Sequence, residues 1–396
     1  MKTLLFTAAI FLASLSFAQN TKKYDYVGDY YEGLAHVRLN LKYGFIDSTG
    51  KQITSLKYTE AGDFSNGFAY VKLNAKCGFI NRKGKEITSL KYDDARSFGK
   101  GIASVYLNGK WGLIDTTGKE ITPFKYNGIN SFSEGFACVK LDDKYGFIDS
   151  TGKEITPLKY DDTKYFRGGF ASVKLNNKYG FIDTTGNEIV PLKYDDADFF
   201  MKGFAPVQLN GRYGFIDKTG KEVIPFKYSD ADFFKGDFAA VQLNNKWGFI
   251  DTTGKVVITF KYNFASSFSK GLAAVKLNDK YGFIDIADKQ VTPLKYDEMD
   301  FLFRKEGLAR VKLNGKWGLI DTTGKEITPL KYDDVDFFSE GLATVQLNGK
   351  CGFIDTTGKE IIALKYDFAT SFNNGYALVE LEGKNFYIDK NGNKKQ

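Results

Sequence analysis

The side chains able to do chemistry are few and scattered. The single histidine is His36, whose side chain changes charge near neutral pH and is therefore the first candidate for a general base or a metal ligand. Three cysteines, Cys77, Cys138 and Cys351, supply thiols far apart in the chain. Without a second histidine, neither a Cys/His nucleophile pair nor a structural zinc site can be assembled. A serine triad with His36 as its base has no nucleophile-elbow phrase to go with it. His36 also takes a place filled elsewhere by Tyr70, Ser104, Cys138, Ser172 and Arg310, as expected of a variable strand face.

Carboxylates are the more abundant candidates. Asp217-Lys218-Thr219-Gly220 has the form of a phosphorylated-aspartate phrase, but Asp-Thr-Thr-Gly and Asp-Ser-Thr-Gly recur at the same place along the chain, and one hairpin turn accounts for all of them. The pairs Asp93-Asp94, Asp161-Asp162, Asp195-Asp196 and Asp333-Asp334 raise two possibilities, a glycosidase or weak calcium binding. Neither signature is complete, and the expected role is a solvated loop that offsets a neighbouring lysine column. Repeated carboxylates in equivalent surroundings cannot separate the pKa values of an acid and a base. The sequence therefore leads to an expectation of no catalytic, cofactor-binding or metal-ligating residue, and of no cofactor. An asymmetric pocket would be sought where the pattern breaks, at Met299, Phe301 and Arg304 and at Asp288.

The pattern itself is a repeat. The phrase Tyr43-Gly44-Phe45-Ile46-Asp47 returns at Cys77, Trp111, Tyr145, Tyr179, Tyr213, Trp247, Tyr281, Trp317 and Cys351, with a decayed copy at Asn385. The spacing is 34 residues, except for 36 between Tyr281 and Trp317, where two residues are added within Asp297 to Glu306. Eleven copies in phase leave no room for an inserted catalytic domain.

Each copy reads as β structure. In Gly341 to Asn348, Ala343, Val345 and Leu347 alternate with variable residues, the period of a half-buried strand. Asn-Gly follows at Asn108-Gly109, Asn210-Gly211, Asn314-Gly315 and Asn348-Gly349, the dipeptide of a type I′ hairpin. The phrase Lys316 to Asp321 must then run back antiparallel, and the Asp321 to Lys325 turn leads into a third strand. Pro123, Pro157, Pro191, Pro225, Pro293 and Pro329 share one position in that strand, which predicts a bend or a sheet edge there. Tyr332 to Glu340 is a loop or short fourth strand. A 34-residue unit cannot offset its own chain entropy, so the units must stack, with Val37, Val71, Val105 and Val139 or Tyr58, Tyr92, Tyr126 and Tyr160 in columns. Such columns absorb most of the aromatic residues. Cys77 and Cys351 then stand as small apolar substitutes in a core row, and a disulfide framework is not expected.

The expected fold is all-β, a tandem array of eleven β-hairpin or three-stranded units in an open solenoid or superhelical stack, with a β-propeller-like ring or rings as the alternative. Lys110 to Ile121 resembles the WG or KWG repeat family of bacterial proteins, and the likeness runs through nearly the whole chain after residue 18. What the resemblance implies is a β-repeat architecture, with no general activity and no functional residues to carry over.

Residues 1–18 combine Lys2, an apolar run from Leu4 to Leu15 and the small-residue ending Ser16-Phe17-Ala18, the form of a cleaved signal peptide, and residues 19–396 are read as one continuous array. No stretch is long enough for a membrane span. The expected location is periplasmic or extracellular. The net charge of +7 is spread over the repeats and only seven of the 55 basic residues are arginine, so a nucleic-acid partner is not expected. The function expected is that of an exported, non-enzymatic binding or structural scaffold whose partner is an unknown protein or a cell-envelope glycan. The alternative is a glycan- or envelope-binding, adhesin-like module using exposed aromatics, and less favoured is an enzyme.

Overall fold

The computed structural model describes residues 23–395, and residues 1–18, read above as a signal peptide, lie outside them. No helix occurs among the described residues. They form eleven separate antiparallel sheets, seven of three strands and four of four, and none closes into a barrel. Two compact units, Met1–Lys193 and Tyr194–Gln396, divide the chain.

One repeat shows the plan. A two-residue leading strand, Asp94–Ala95, pairs with the strand Ile102–Leu107, which pairs in turn with Lys110–Asp115. The short fourth strand expected from the acidic segment is this leading strand, and it belongs to the sheet of the repeat that follows it. Asn108 and Gly109 both take positive φ, 51° and 82°, as the type I′ hairpin requires.

The core lies between repeats. In the first unit, Leu34, Phe45 and Tyr58 of one repeat pack with Ala69, Val71 and Ile80 of the next. In the second, Phe215 and Tyr228 pack in the same way with Ala239, Val241 and Ile250. Each large apolar side chain so covered contributes about 1.5–3 kcal/mol, so a repeat acquires most of its stabilisation from its neighbours. Cys77 and Cys351 take places in these rows as expected, and all three cysteines are buried and unpaired.

The third segment shows where local chemistry overrules backbone propensity. It sits at a sheet edge, as expected, but proline is not what decides its regularity. Glu188–Tyr194 and Glu222–Tyr228 are continuous strands that contain Pro191 and Pro225. The repeats with Ser55 and Ser89 at that position have only isolated bridges in this segment. What separates the two groups is the preceding residue. Val190, Ile224, Ile258 and Ile362 stand in the continuous strands. Thr54, Thr88, Thr122, Thr156, Thr292 and Thr328 stand in the interrupted ones, and each hydroxyl accepts from the backbone N–H of a Phe or Leu in the adjacent strand, as in Leu113 N to Thr122 Oγ1 at 2.9 Å. A buried threonine hydroxyl substitutes for a ladder carbonyl, and the regular strand is lost.

This choice reaches the next repeat. A Cβ on Gly118 would lie 2.4 Å from the Ile87 carbonyl oxygen, beside Thr88, whereas one on Gly254 would first meet Ile224 Cγ1 at 3.3 Å. An interrupted segment thus presses its backbone on the turn of the following repeat, and a continuous one leaves space. Asp288, the non-glycine at this turn, follows the Ile258 strand and takes φ 63°. We predict that Gly254→Asp costs about 1 kcal/mol, the left-handed backbone penalty alone, and that Gly118→Asp costs about 3 kcal/mol by adding a backbone clash. Denaturant unfolding of the two variants checks the order, and equal losses would refute the coupling.

Candidate functional site

Most of the polar side chains singled out in the sequence are occupied in holding the repeats together. Asp217 Oδ1 accepts from Thr219 N at 2.9 Å, Thr219 Oγ1 at 2.6 Å and Lys221 N at 3.1 Å, and the same arrangement recurs at Asp115, Asp149 and Asp321. The threonine hydroxyl, foremost, holds the Asp217 carboxyl below the usual aspartate range. The phrase is a hairpin turn with its carboxylate committed to it.

The acid pairs are not idle solvated groups. Asp333 bridges Lys316 Nζ at 2.5 Å and Asn348 N at 2.6 Å, so one carboxylate ties the lysine that opens one strand to the hairpin turn of the next repeat. Asp161 does the same with Lys144 and Asn176, and Asp93 with Lys76 and Asn108. Among the described residues no three or more His, Cys, Asp or Glu side chains converge as a metal site would need.

His36 Nδ1 lies 3.0 Å from Asp63 Oδ1 without the alignment of a hydrogen bond, and the ring sits beside Tyr26 and Tyr43. It belongs to a packed strand face. Burial pushes the Cys77 and Cys138 thiols up, away from the thiolate.

The off-pattern residues separate. Met299 is buried in an inter-repeat core. Arg304 lies 3.9 Å from the centre of the Phe337 ring. Asp288 meets Lys261 and accepts from Tyr262 Oη at 2.5 Å. It does what Glu86 does for Lys57 and Tyr58, and so compensates for Gln290 in the place of that glutamate. Phe301 is different: it is 42% exposed, and with Leu302 it borders a groove of about 390 Å³ lined also by Asp230, Asp232, Trp247 and Phe264. The Phe264 and Phe301 rings pack at a tilt, their centres 4.8 Å apart. A second hollow of about 300 Å³, with Phe238, Phe268 and Ile286, shares Lys235 with it.

Trp247 and Phe264 escaped sequence reasoning as site residues. A signal was there: Phe264 replaces the acid that Asp94, Asp162 and Asp230 provide at its position, and Gln242, the strand partner of Trp247, replaces a lysine. The groove crosses three successive repeats of the second unit, with one wall supplied by the two-residue insertion.

Eleven tandem antiparallel sheets with shared cores define a tandem β-repeat protein. The chain belongs to the WG containing repeat family, whose pattern matches eleven consecutive copies from residues 21–43 and 43–77 through to 352–384. No curated protein sequence matches it. Similar solved structures include the crystal structure of the eukaryotic initiation factor, at 10% identity over 75% of this chain and 95% of that one, with a TM-score of 0.39. PorZ, a bacterial surface component of the type-IX secretion system of Porphyromonas gingivalis, is 9% identical over 94% of this chain and 58% of its own, with a TM-score of 0.25. The extracellular domain of a putative one-component system from B. thetaiotaomicron is 11% identical over 94% and 65%, also with a TM-score of 0.25. These likenesses are too distant to carry an argument about function. No helix among the described residues is long and apolar enough to cross a membrane.

Lysine contacts hold the Asp93, Asp161, Asp297, Asp333 and Asp367 carboxyls below their ordinary value. A depressed carboxylate stabilises the fold above its unfolded-state pKa, and the contribution is lost as pH falls through the folded-state value. We predict a melting temperature that is level between about pH 8 and 5 and falls below about pH 4. Asp333→Asn should reduce that fall, and an unaltered acid limb would refute the clamp.

Proposed function

We propose that this is an exported, non-enzymatic scaffold that binds a partner through the groove of Trp247, Phe264 and Phe301. The observation behind this reading is that two off-pattern aromatics, Phe264 and Phe301, share one open groove with Trp247, in an array whose recurring carboxylates are otherwise spent on turns and clamps. Half-exposed aromatic rings across several units suit the binding of an extended ligand. Export is read from residues 1–18 and places the partner in the periplasm or outside the cell.

A second reading is favoured by the exposed Phe301 ring: an envelope glycan stacked on the aromatics. It differs from the first in the class of partner, not in the surface used.

The test compares purified wild-type chain with Phe301→Asp as bait in cross-linking to a cell-envelope fraction and on a glycan array. The expected result is one partner species retained by wild type and reduced at least about tenfold with Phe301→Asp, with the melting temperature unchanged. Equal retention by both proteins would refute the groove. Turnover that survives purification and vanishes with a single substitution would refute the non-enzymatic reading.

A further inference from the structure

Several repeats place a cation of their own chain over the aromatic ring of the Lys-(Trp/Tyr)-Gly phrase. Lys312 shows all the parts: its Nζ is 3.0 Å from the Glu298 carboxylate and 5.3 Å from the centre of the Trp317 ring. Backbone pairing sets the three in line, Glu298 opposite Lys312 and Lys312 opposite Trp317. Lys140, Lys174 and Lys276 cover Tyr145, Tyr179 and Tyr281 at 5.4, 5.1 and 5.1 Å. An ammonium between a carboxylate and a ring face is attracted by both.

The repeat that begins at Asp230 keeps the acid and the ring and lacks the cation. Asp230 pairs with Gln242, and Gln242 with Trp247, so the glutamine holds the place of Lys312. Ser229 Oγ donates to Gln242 Oε1 at 2.8 Å and fixes that side chain. Asp230 is exposed, and its Oδ1 accepts from the adjacent Ala231 N. Two other repeats with glutamine at this position resolve the gap internally. Opposite Gln208, the Tyr213 hydroxyl donates to Asp196 Oδ2 at 2.9 Å and caps the acid. Opposite Gln346 stands Cys351, and the ring is gone. Trp247 has no hydroxyl with which to cap Asp230, and the groove opens beside both.

We infer that this groove receives a lysine side chain from a partner polypeptide, its ammonium between Asp230 and the Trp247 ring as Lys312 lies between Glu298 and Trp317. The inference rests on the reading of this groove as the binding surface. Charge agrees, since Asp230 and Asp232 outweigh Lys235 along the lining, and Asp232 also accepts from Ser267 Oγ. The packed Phe264 and Phe301 rings and Leu302 offer an apolar wall for the four-carbon lysine stem. An amino sugar has no such stem, which favours a polypeptide over a cationic glycan.

The test is calorimetric titration of the full chain with an acetylated, amidated pentapeptide carrying one central lysine, and with its norleucine counterpart, which keeps the stem and removes the charge. The lysine peptide should bind at least about tenfold more tightly, the worth of a desolvated cation–π contact plus an ion pair. Gln242→Lys fills the place from within: it should lower affinity at least about tenfold with a melting temperature equal to or above wild type. Asp230→Asn, at an exposed position, should weaken binding about fivefold and keeps the test decisive if Gln242→Lys folds poorly. Equal binding of the two peptides, or undiminished binding by both variants, overturns the inference, as does a glucosamine oligomer that binds where the lysine peptide does not. If envelope capture is lost with Phe301→Asp while the lysine peptide fails to bind, the groove stands as the binding surface and the lysine assignment falls.

Discussion

A sheet of three or four short strands has an apolar face that it cannot cover by itself, and within each compact unit the cover comes from an adjacent repeat. Phe45 and Tyr58 are closed off by Val71 and Ile80, and Phe215 and Tyr228 by Val241 and Ile250. The rest of the structure follows from that dependence. Thirty-four residues are too few for an independent core, so stability is shared along the chain and no copy can diverge freely without disturbing its neighbour.

The glycine that follows Trp, Tyr or Cys in ten of the eleven repeats reflects the same crowding. Its φ is ordinary, but a Cβ on Gly214 would lie 2.6 Å from the Ile224 carbonyl oxygen, where the third segment crosses close against the hairpin. The turn glycine of the next repeat then answers to whether that segment is a strand or is interrupted by threonine. Gly118 and Asp288 are two outcomes of one steric rule, separated by the choice of Thr88 or Ile258 in the repeat before. Carboxylates complete the linkage, with Glu86 and Asp288 reaching back to the Lys-Tyr pair of the preceding copy.

Against so regular a background, a departure carries information when nothing compensates for it. Asp288 makes good the loss at Gln290, and Met299 disappears into a core. Phe264 and Phe301 stand along one groove with Trp247, whose strand partner Gln242 takes the place of a lysine. The proposed binding surface combines the loss of an internal lysine, at Gln242, with a wall added by the two-residue insertion that carries Phe301.

The all-β class, the repeat length, the type I′ hairpin at Asn108-Gly109 and the core rows of Val and Tyr were legible in the sequence, because each depends on residues close together in the chain or on a period that repeats identically. The Asp217 turn was legible for the same reason. The edge position of the third segment was legible from its prolines, but its interruption was not: the effect of Thr122 appears only when its hydroxyl is seen to reach the Leu113 amide of another strand. The acid pairs were read as loop charge, because the lysine and the amide that Asp333 joins meet only when the leading strand pairs in register. Phe301 could be suspected from the insertion that carries it. That it faces Trp247 and Asp230, which lie 54 and 71 residues earlier, was decided by the stacking of successive sheets, since no local pattern encodes which side chains of different repeats share a groove.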